Sequence, residues 1–76
     1  MSDETTLDTT GLLCPLPVLK LRKRLKTLNK GARITMIADD TAALIDVPHF
    51  CAEAGHTLLE THENEGVLTF EIAAGG

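Results

Sequence analysis

GLLCPLPVLKLRKRLKTLN, residues 11–29, is the stretch that decides the fold, because it joins a cysteine to a long amphipathic helix pattern. The apolar positions of this pattern recur at spacings of three, four and three residues: Val18, Leu21, Leu25 and Leu28. At about 100° per residue these side chains share one stripe of a helix. The spacing predicts a first helix from Val18 to about Asn29, which ends at Gly31.

The cysteine of this stretch, Cys14, stands where the first helix begins, behind Gly11 and before Pro15 and Pro17. Proline suits a first helical turn because the N–H that it lacks would be unpaired there in any case. Unpaired N–H groups carry a partial positive charge that favours thiolate over thiol. We therefore expect a fixed thiol whose pKa lies slightly below its ordinary value.

Shorter patterns predict the remaining elements. Strand-like runs occupy Thr5–Thr9, Ala32–Ala38, Thr57–His62 and Val67–Ile72, and the turn of the last two is Glu63–Gly66. Alternation in the last run assigns to the core Leu68, Phe70 and Ile72. A second helical region covers Ala42–Ile45 and Pro48–Ala54, with a break near Asp46, which would cap the second piece, and a stop at Gly55.

The element order is strand, helix, strand, helix, strand, strand. It predicts an α/β fold: a two-layer sandwich, βαβαββ, with two helices on one face of a mixed four-stranded sheet. We expect a single domain over residues 1–76, frayed at 1–4 and 73–76. The apolar runs are too short to span a membrane and the first residues are polar, so we expect a soluble cytoplasmic protein.

Charge is segregated along the chain, although its net value is only −4. All seven basic residues fall in one stretch free of acids: Lys20, Arg22, Lys23, Arg24, Lys26, Lys30 and Arg33. Such a helix face can be merely solvated, but complete segregation favours docking to an acidic partner. Arg22 and Lys23 lie about 12–14 Å along the helix from Cys14, beyond the Debye length of about 8–10 Å. These cations are therefore better placed to bind a partner than to activate sulfur.

Leu19 lies outside the apolar stripe and projects among the lysines Lys23, Lys26 and Lys30. An isolated exposed leucine is normal, but beside a reactive thiol it could equally anchor a partner. Both interpretations of Leu19 stay open.

Other chemistries are less well supported. No second cysteine stands three residues from Cys14, and Cys51 in a helical pattern indicates a buried hydrophobe, so we expect neither a redox pair nor a disulfide. The group His49, Cys51 and His56 lacks a zinc spacing, and Asp39-Asp40 is adequately explained as a turn and cap. We expect no metal and no cofactor. With two Phe and no Trp or Tyr, direct nucleic-acid binding is also disfavoured.

The chain resembles the TusA family of small sulfur-carrier proteins, also called SirA-like, over nearly its whole length. The matching residues are Leu7-Asp8, Gly11-Leu12, Cys14-Pro15-Leu16-Pro17-Val18, Arg22-Lys23, Gly31, Ala38-Asp39-Asp40, Pro48, Phe50-Cys51 and Gly55-His56. The resemblance implies the same βαβαββ sandwich and a sulfurtransferase of the persulfide-carrier type. Permissive positions flanking the cysteine hold Leu13 and Leu16, which with Leu19 would give the sulfur an apolar rim.

By this resemblance Cys14 carries sulfane sulfur as a persulfide, framed by Gly11, Pro15 and Pro17. The donor would be a cysteine desulfurase or a rhodanese-like protein, and the acceptor a downstream sulfur-relay protein. The best-known pathway of the family is 2-thiouridine formation in tRNA, and other members serve molybdenum-cofactor assembly or sulfur oxidation. The partner-facing surface is implied to include Arg22, Lys23 and Asp40, to which the helix pattern adds Leu19 and Lys26. The alternative is a non-enzymatic binding or regulatory module that uses the basic first helix. We expect a monomer under reducing conditions.

Overall fold

The computed structural model describes residues 5–75, and its elements follow the predicted order. They are β1 Thr5–Asp8, α1 Leu16–Leu25, β2 Arg33–Ala38, α2 Ala43–Ala54, β3 Thr57–Asn64 and β4 Val67–Ala73. The strands lie in the order β1-β2-β4-β3; β1 pairs with β2 in parallel, and the other two pairs are antiparallel. The predicted α/β sandwich with a mixed four-stranded sheet is confirmed. Within residues 5–75 no helix is long and apolar enough to cross a bilayer.

The core lies between the sheet and the two helices. Alternate residues of the central strands are fully buried, as the pattern predicted for Leu68, Phe70 and Ile72. They meet the buried side chains of the helices: Leu21 and Leu25 of α1, and Val47 and Cys51 of α2. One hydrophobic cluster therefore fixes both helices against one face of the sheet.

Helix α1 is shifted toward the cysteine relative to the predicted bounds. It begins at Leu16 because Pro15 occupies the N-cap and Pro17 the first turn, where a missing N–H costs no helical bond. It ends at Leu25, where the chain tightens into a turn: the Thr27 hydroxyl donates to the Arg24 carbonyl at 2.7 Å. Val18 and Leu28, at the two ends of the predicted stripe, still pack against the core.

Helix α2 is continuous, so the predicted break near Asp46 is wrong. Pro48 lies inside the helix, where it removes only one bond, that to the Leu44 carbonyl. The buried side chains of Val47 and Cys51 hold both halves against the sheet. Asp46 consequently stands in the first turn of one helix and does not cap a second one.

The C-terminal half follows its turn signals. Gly55 ends α2 in the left-handed conformation at φ 84°. The hairpin closes through two residues, Glu65 and Gly66, which both have the positive φ that a tight turn of this twist requires. Strand β3 therefore extends to Asn64 and β4 begins at Val67.

The segment after β4 is held in place, contrary to the predicted fraying from residue 73 onward. Ala73 is the last residue of β4, and Ala74 is buried with its N–H donating to the Ala32 carbonyl at 2.8 Å. The Gly75 N–H donates to Nδ1 of His56 at 2.9 Å. Residues 1–4 and Gly76, also expected to fray, lie outside the described residues.

Candidate functional site

Cys14 lies exposed in the loop between β1 and α1, and two aspartates that directly follow β2 hold this loop. The Gly11 N–H donates to both carboxylate oxygens of Asp39, at 3.0 and 3.1 Å. The Cys14 N–H donates to Oδ2 of Asp40 at 2.6 Å. The cysteine backbone is thus tied to the end of β2, which fixes where the sulfur can lie.

Asp40 also has the turn role that the sequence indicated. Its Oδ1 accepts the Ala42 N–H at 3.0 Å. The two backbone N–H groups, first that of Ala42 and then that of Cys14, hold the pKa of the Asp40 carboxyl below its ordinary value. Asp40 therefore stays ionised at neutral pH and grips the loop with a charge-assisted bond.

The Cys14 thiol faces a carboxylate from the second helix. Its Sγ donates to Oδ2 of Asp46 at 2.8 Å. This hydrogen bond, followed by partial desolvation and the negative charges of Asp46 and Asp40, raises the pKa of the Cys14 thiol. The expected lowering of this pKa is therefore wrong in sign.

The helix end fails to activate the sulfur because its donors are scarce. Prolines occupy positions 15 and 17, and the Leu16 N–H donates to the Leu13 carbonyl at 2.9 Å. Few unpaired N–H groups therefore remain near the thiol, while a whole negative charge lies in direct contact with it.

A shallow groove of about 280 Å³ runs beside the sulfur between the two helices. Its lining consists of Cys14, Pro15, Val18, Asp46, His49, Phe50 and Glu53. His49 and Glu53 pair across one helical turn at 3.3 Å, near the solvent. The groove gives the thiol an apolar wall on one side and a carboxylate on the other.

Four apolar side chains that lie near Cys14 or Asp46 in the sequence are exposed to solvent. Leu13 is 71% exposed, and Leu16 and Leu19 are about half exposed. Sequence reasoning singled out these three leucines but missed Ile45, which is 75% exposed in the first turn of α2. Such exposure beside a thiol is typical of a surface that contacts another protein.

The basic side chains of α1 lie on its outer face. Lys20, Arg22, Lys23 and Lys26 are exposed, and in the part of the chain that the structure describes the ion pairs involve only histidines. These cations therefore form a positive strip without ion pairs among the described residues, distinct from the acidic surroundings of the sulfur. Hydrogen bonds from Thr10 lower the pKa of Asp8, and the charge of Lys20 contributes to this lowering.

The second cysteine has no part in this site. Cys51 is 2% exposed, and its burial raises the pKa of its thiol; Cys14, by contrast, is exposed. His56 packs its ring on Phe50 at 5.6 Å and accepts the Gly75 N–H. Over residues 5–75 no group of three or more His, Cys, Asp or Glu side chains is arranged to hold a metal ion.

Comparisons with known proteins agree with the geometry. The model of the family described as Sulfurtransferase TusA matches residues 5–74. A putative sulfur carrier protein of Neisseria meningitidis serogroup A is 43% identical over 67 residues, covering 88% of this chain and 90% of that protein. The sulfur carrier protein TusA of Pseudomonas entomophila is 41% identical over 69 residues, covering 91% and 86%.

A solved structure is also similar. The crystal structure of a SirA-like protein from Desulfitobacterium hafniense has a TM-score of 0.82 and 27% sequence identity. The match covers 95% of this chain and 99% of that one. The whole described fold is therefore shared with that protein.

Proposed function

The chain belongs to the TusA family of sulfur carriers, and we propose that it accepts sulfane sulfur on Cys14 as a persulfide and passes it to another protein. The observation that carries this proposal is Cys14 itself, an exposed thiol on a loop held by Asp39 and Asp40. A sulfur atom in this position is fixed and open to a large partner. Cys51, being buried, cannot form a persulfide with such a partner or resolve one on Cys14.

The transfer is a displacement at sulfur with no net oxidation. The Cys14 thiolate attacks the terminal sulfur of a persulfide on the donor, and a new S–S bond forms as the donor's own S–S bond breaks. The bonding electron pair leaves with the donor cysteine, which takes up a proton. Delivery is the same kind of displacement: the acceptor's thiolate attacks the terminal sulfur of the Cys14 persulfide, and the electron pair of the broken S–S bond leaves with Cys14.

A cysteine desulfurase or a rhodanese-like protein fits the role of donor, since each presents a persulfide. The exposed rim of Leu13, Leu16, Leu19 and Ile45 would contact the partner, while the positive strip on α1 would guide an acidic surface toward it. The acceptor is a downstream relay protein in the cytoplasm, and 2-thiouridine formation in tRNA is the pathway that we propose.

Intact mass spectrometry tests the carrier function. The protein is first reduced, a state in which we expect a monomer, and after removal of the reductant it is incubated anaerobically with cysteine and a cysteine desulfurase. We expect a gain of one sulfur atom in the wild type and in Cys51→Ala, but none in Cys14→Ser. Sulfur that stays on Cys14→Ser, or that is lost in Cys51→Ala, would contradict the assignment.

The second candidate function is a binding module without sulfur chemistry, which the positive strip on α1 favours. Under that function Cys14→Ser keeps full activity toward the partner pathway, while Arg22→Glu combined with Lys23→Glu loses it. Sulfur loading on Cys14 together with loss of pathway activity in Cys14→Ser would exclude this second function.

A further inference from the structure

Negative charge, and not positive charge, surrounds the reacting sulfur. The Asp46 carboxylate contacts Sγ of Cys14 at 2.8 Å, and Asp40 holds the backbone of the same residue. The other titratable groups of the groove, His49 and Glu53, pair with each other. No basic side chain among the described residues is a cause of the shift in the Cys14 pKa.

A carboxylate in this position is a poor proton acceptor for the thiol. The hydrogen bond from Sγ to the Asp46 carboxylate raises the pKa of the Cys14 thiol above its ordinary value, so the proton stays on sulfur. Thiol exchange also proceeds through the fraction of the thiol that is already ionised, without a base that removes the proton during the step. The contact between Asp46 and Cys14 therefore acts through charge and not through proton abstraction.

The charge acts differently on the empty and on the loaded carrier. In the empty carrier the neutral thiol donates its hydrogen to Asp46, which is a favourable contact. In the loaded carrier the terminal sulfur is the more acidic group, because a persulfide loses its proton more readily than the thiol from which it forms. The resulting anion faces the Asp46 carboxylate and is repelled.

Building on the proposed carrier function, we infer that Asp46 is a charge gate: it keeps the empty Cys14 protonated and repels the anionic sulfur cargo, so that the loaded carrier gives up its sulfur. The gate changes no bond by itself. The acceptor's thiolate forms a bond with the terminal sulfur, the bond between this sulfur and Cys14 Sγ breaks, and the electron pair returns to Sγ. A proton from water then restores the thiol that Asp46 holds.

The resting half of the gate is tested by alkylation of Cys14 with iodoacetamide over a range of pH. Asp46→Asn keeps the size and the hydrogen-bond acceptor but removes the charge, so the pH midpoint of alkylation should fall. Each unit by which it falls multiplies the thiolate fraction at neutral pH about ten-fold and lowers its intrinsic reactivity about three-fold, a net gain of about three-fold. Cys51 is buried and adds no background.

Glu53→Gln is the matched control for this measurement. It removes the same charge from the same helix, two turns beyond Asp46, without touching Sγ. Its alkylation profile should coincide with that of the wild type. An unchanged midpoint in Asp46→Asn, or an equal shift in Glu53→Gln, would overturn the gate.

The cargo half is tested by equilibrium with small molecules. Each variant is mixed with glutathione persulfide and glutathione, and mass spectrometry gives the ratio of loaded to empty protein. A unit charge at about 4 Å in a solvated setting corresponds to a change of about five-fold, so Asp46→Asn should retain about five times more sulfur than the wild type. An equal or lower ratio in Asp46→Asn would overturn the gate, as would slower loading, which would indicate proton abstraction by Asp46.

Failure of the gate can be separated from failure of the proposed function. If the wild type loads on Cys14 and Asp46→Asn behaves identically in both assays, the carrier function stands and the gate is wrong. If the wild type takes up no sulfur from either glutathione persulfide or a desulfurase, the carrier function is wrong and the gate has no cargo to repel.

Discussion

Truncating two leucines on opposite faces of α1 should separate the stability of the fold from partner binding. Leu21 is fully buried in the core, whereas Leu19 on the same helix is 48% exposed. The two residues are two positions apart on one helix and carry the same side chain. Leu21→Ala and Leu19→Ala therefore lose the same atoms from opposite environments.

The expected cost of Leu21→Ala is large for so small a protein. Loss of a buried leucine side chain lowers the free energy of unfolding by about 2–5 kcal/mol, because transfer and cavity terms add. A chain of this length has about 4–11 kcal/mol in total, at about 0.05–0.15 kcal/mol per residue. At about 4–8 °C per kcal/mol, the melting temperature should fall by about 8–40 °C. Leu19→Ala should change the free energy of unfolding by less than about 0.5 kcal/mol.

Thermal and urea unfolding followed by far-ultraviolet circular dichroism measure both values, since the chain has no Trp or Tyr for fluorescence. Sulfur uptake from a desulfurase is then compared with uptake from glutathione persulfide. Leu19→Ala should slow only the protein donor, by about five-fold or more if Leu19 is an anchor of the interface. A loss below about 1 kcal/mol in Leu21→Ala, or an equal loss in Leu19→Ala, would refute the assigned faces of α1.

Three further outcomes follow from the charges around the site. Asp40→Ala should release the Cys14 N–H, so hydrogen exchange at this amide should accelerate while amides of β4 keep their rates. The pKa of Asp40 is lowered in the folded protein, so its hydrogen bond to the Cys14 N–H is fully formed above the ordinary pKa of a carboxyl group. This bond is lost only as the pH falls through the lowered pKa of the folded protein. The amide resonance of Cys14, followed on acidification, should therefore move below pH 3.8 and not above it. Arg22→Glu with Lys23→Glu should abolish uptake from a desulfurase but leave uptake from glutathione persulfide unchanged, and raised salt should mimic the loss with the wild type.

The fold was accessible to sequence reasoning because its signals are local. The spacing of Leu21 and Leu25 repeats within one helix, and the alternation in β4 repeats within one strand, so each pattern contains its own evidence. The predicted elements were wrong where tertiary packing overrides a local sequence rule. Pro48 predicts a break by itself, but burial of the side chains on both sides of it keeps α2 in one piece.

The surroundings of the thiol could be predicted only in part from the sequence. The loop contacts of Asp39 and Asp40 could have been deduced, because parallel strands end at the same edge of a sheet and these residues directly follow β2. The contact of Asp46 with Cys14 joins residues 32 positions apart and depends on the rotation of α2 about its axis. No spacing in the sequence encodes that rotation, so the direction of the shift in the Cys14 pKa could not be predicted.

Separate placement of the two kinds of charge suits a carrier better than a catalyst. A catalytic cysteine gains from neighbouring cations, which stabilise its thiolate, but a carrier so built would also stabilise its anionic cargo and retain more of it at equilibrium. Here the cations lie along the outer face of α1, where they can attract a partner from a distance. The carboxylate of Asp46 lies in contact with the sulfur, so its charge acts most strongly on a sulfur atom bound to Cys14. Recognition and retention of sulfur thereby depend on different groups, so a substitution on α1 should change which partner binds, and a substitution at Asp46 should change how much sulfur the carrier retains at equilibrium.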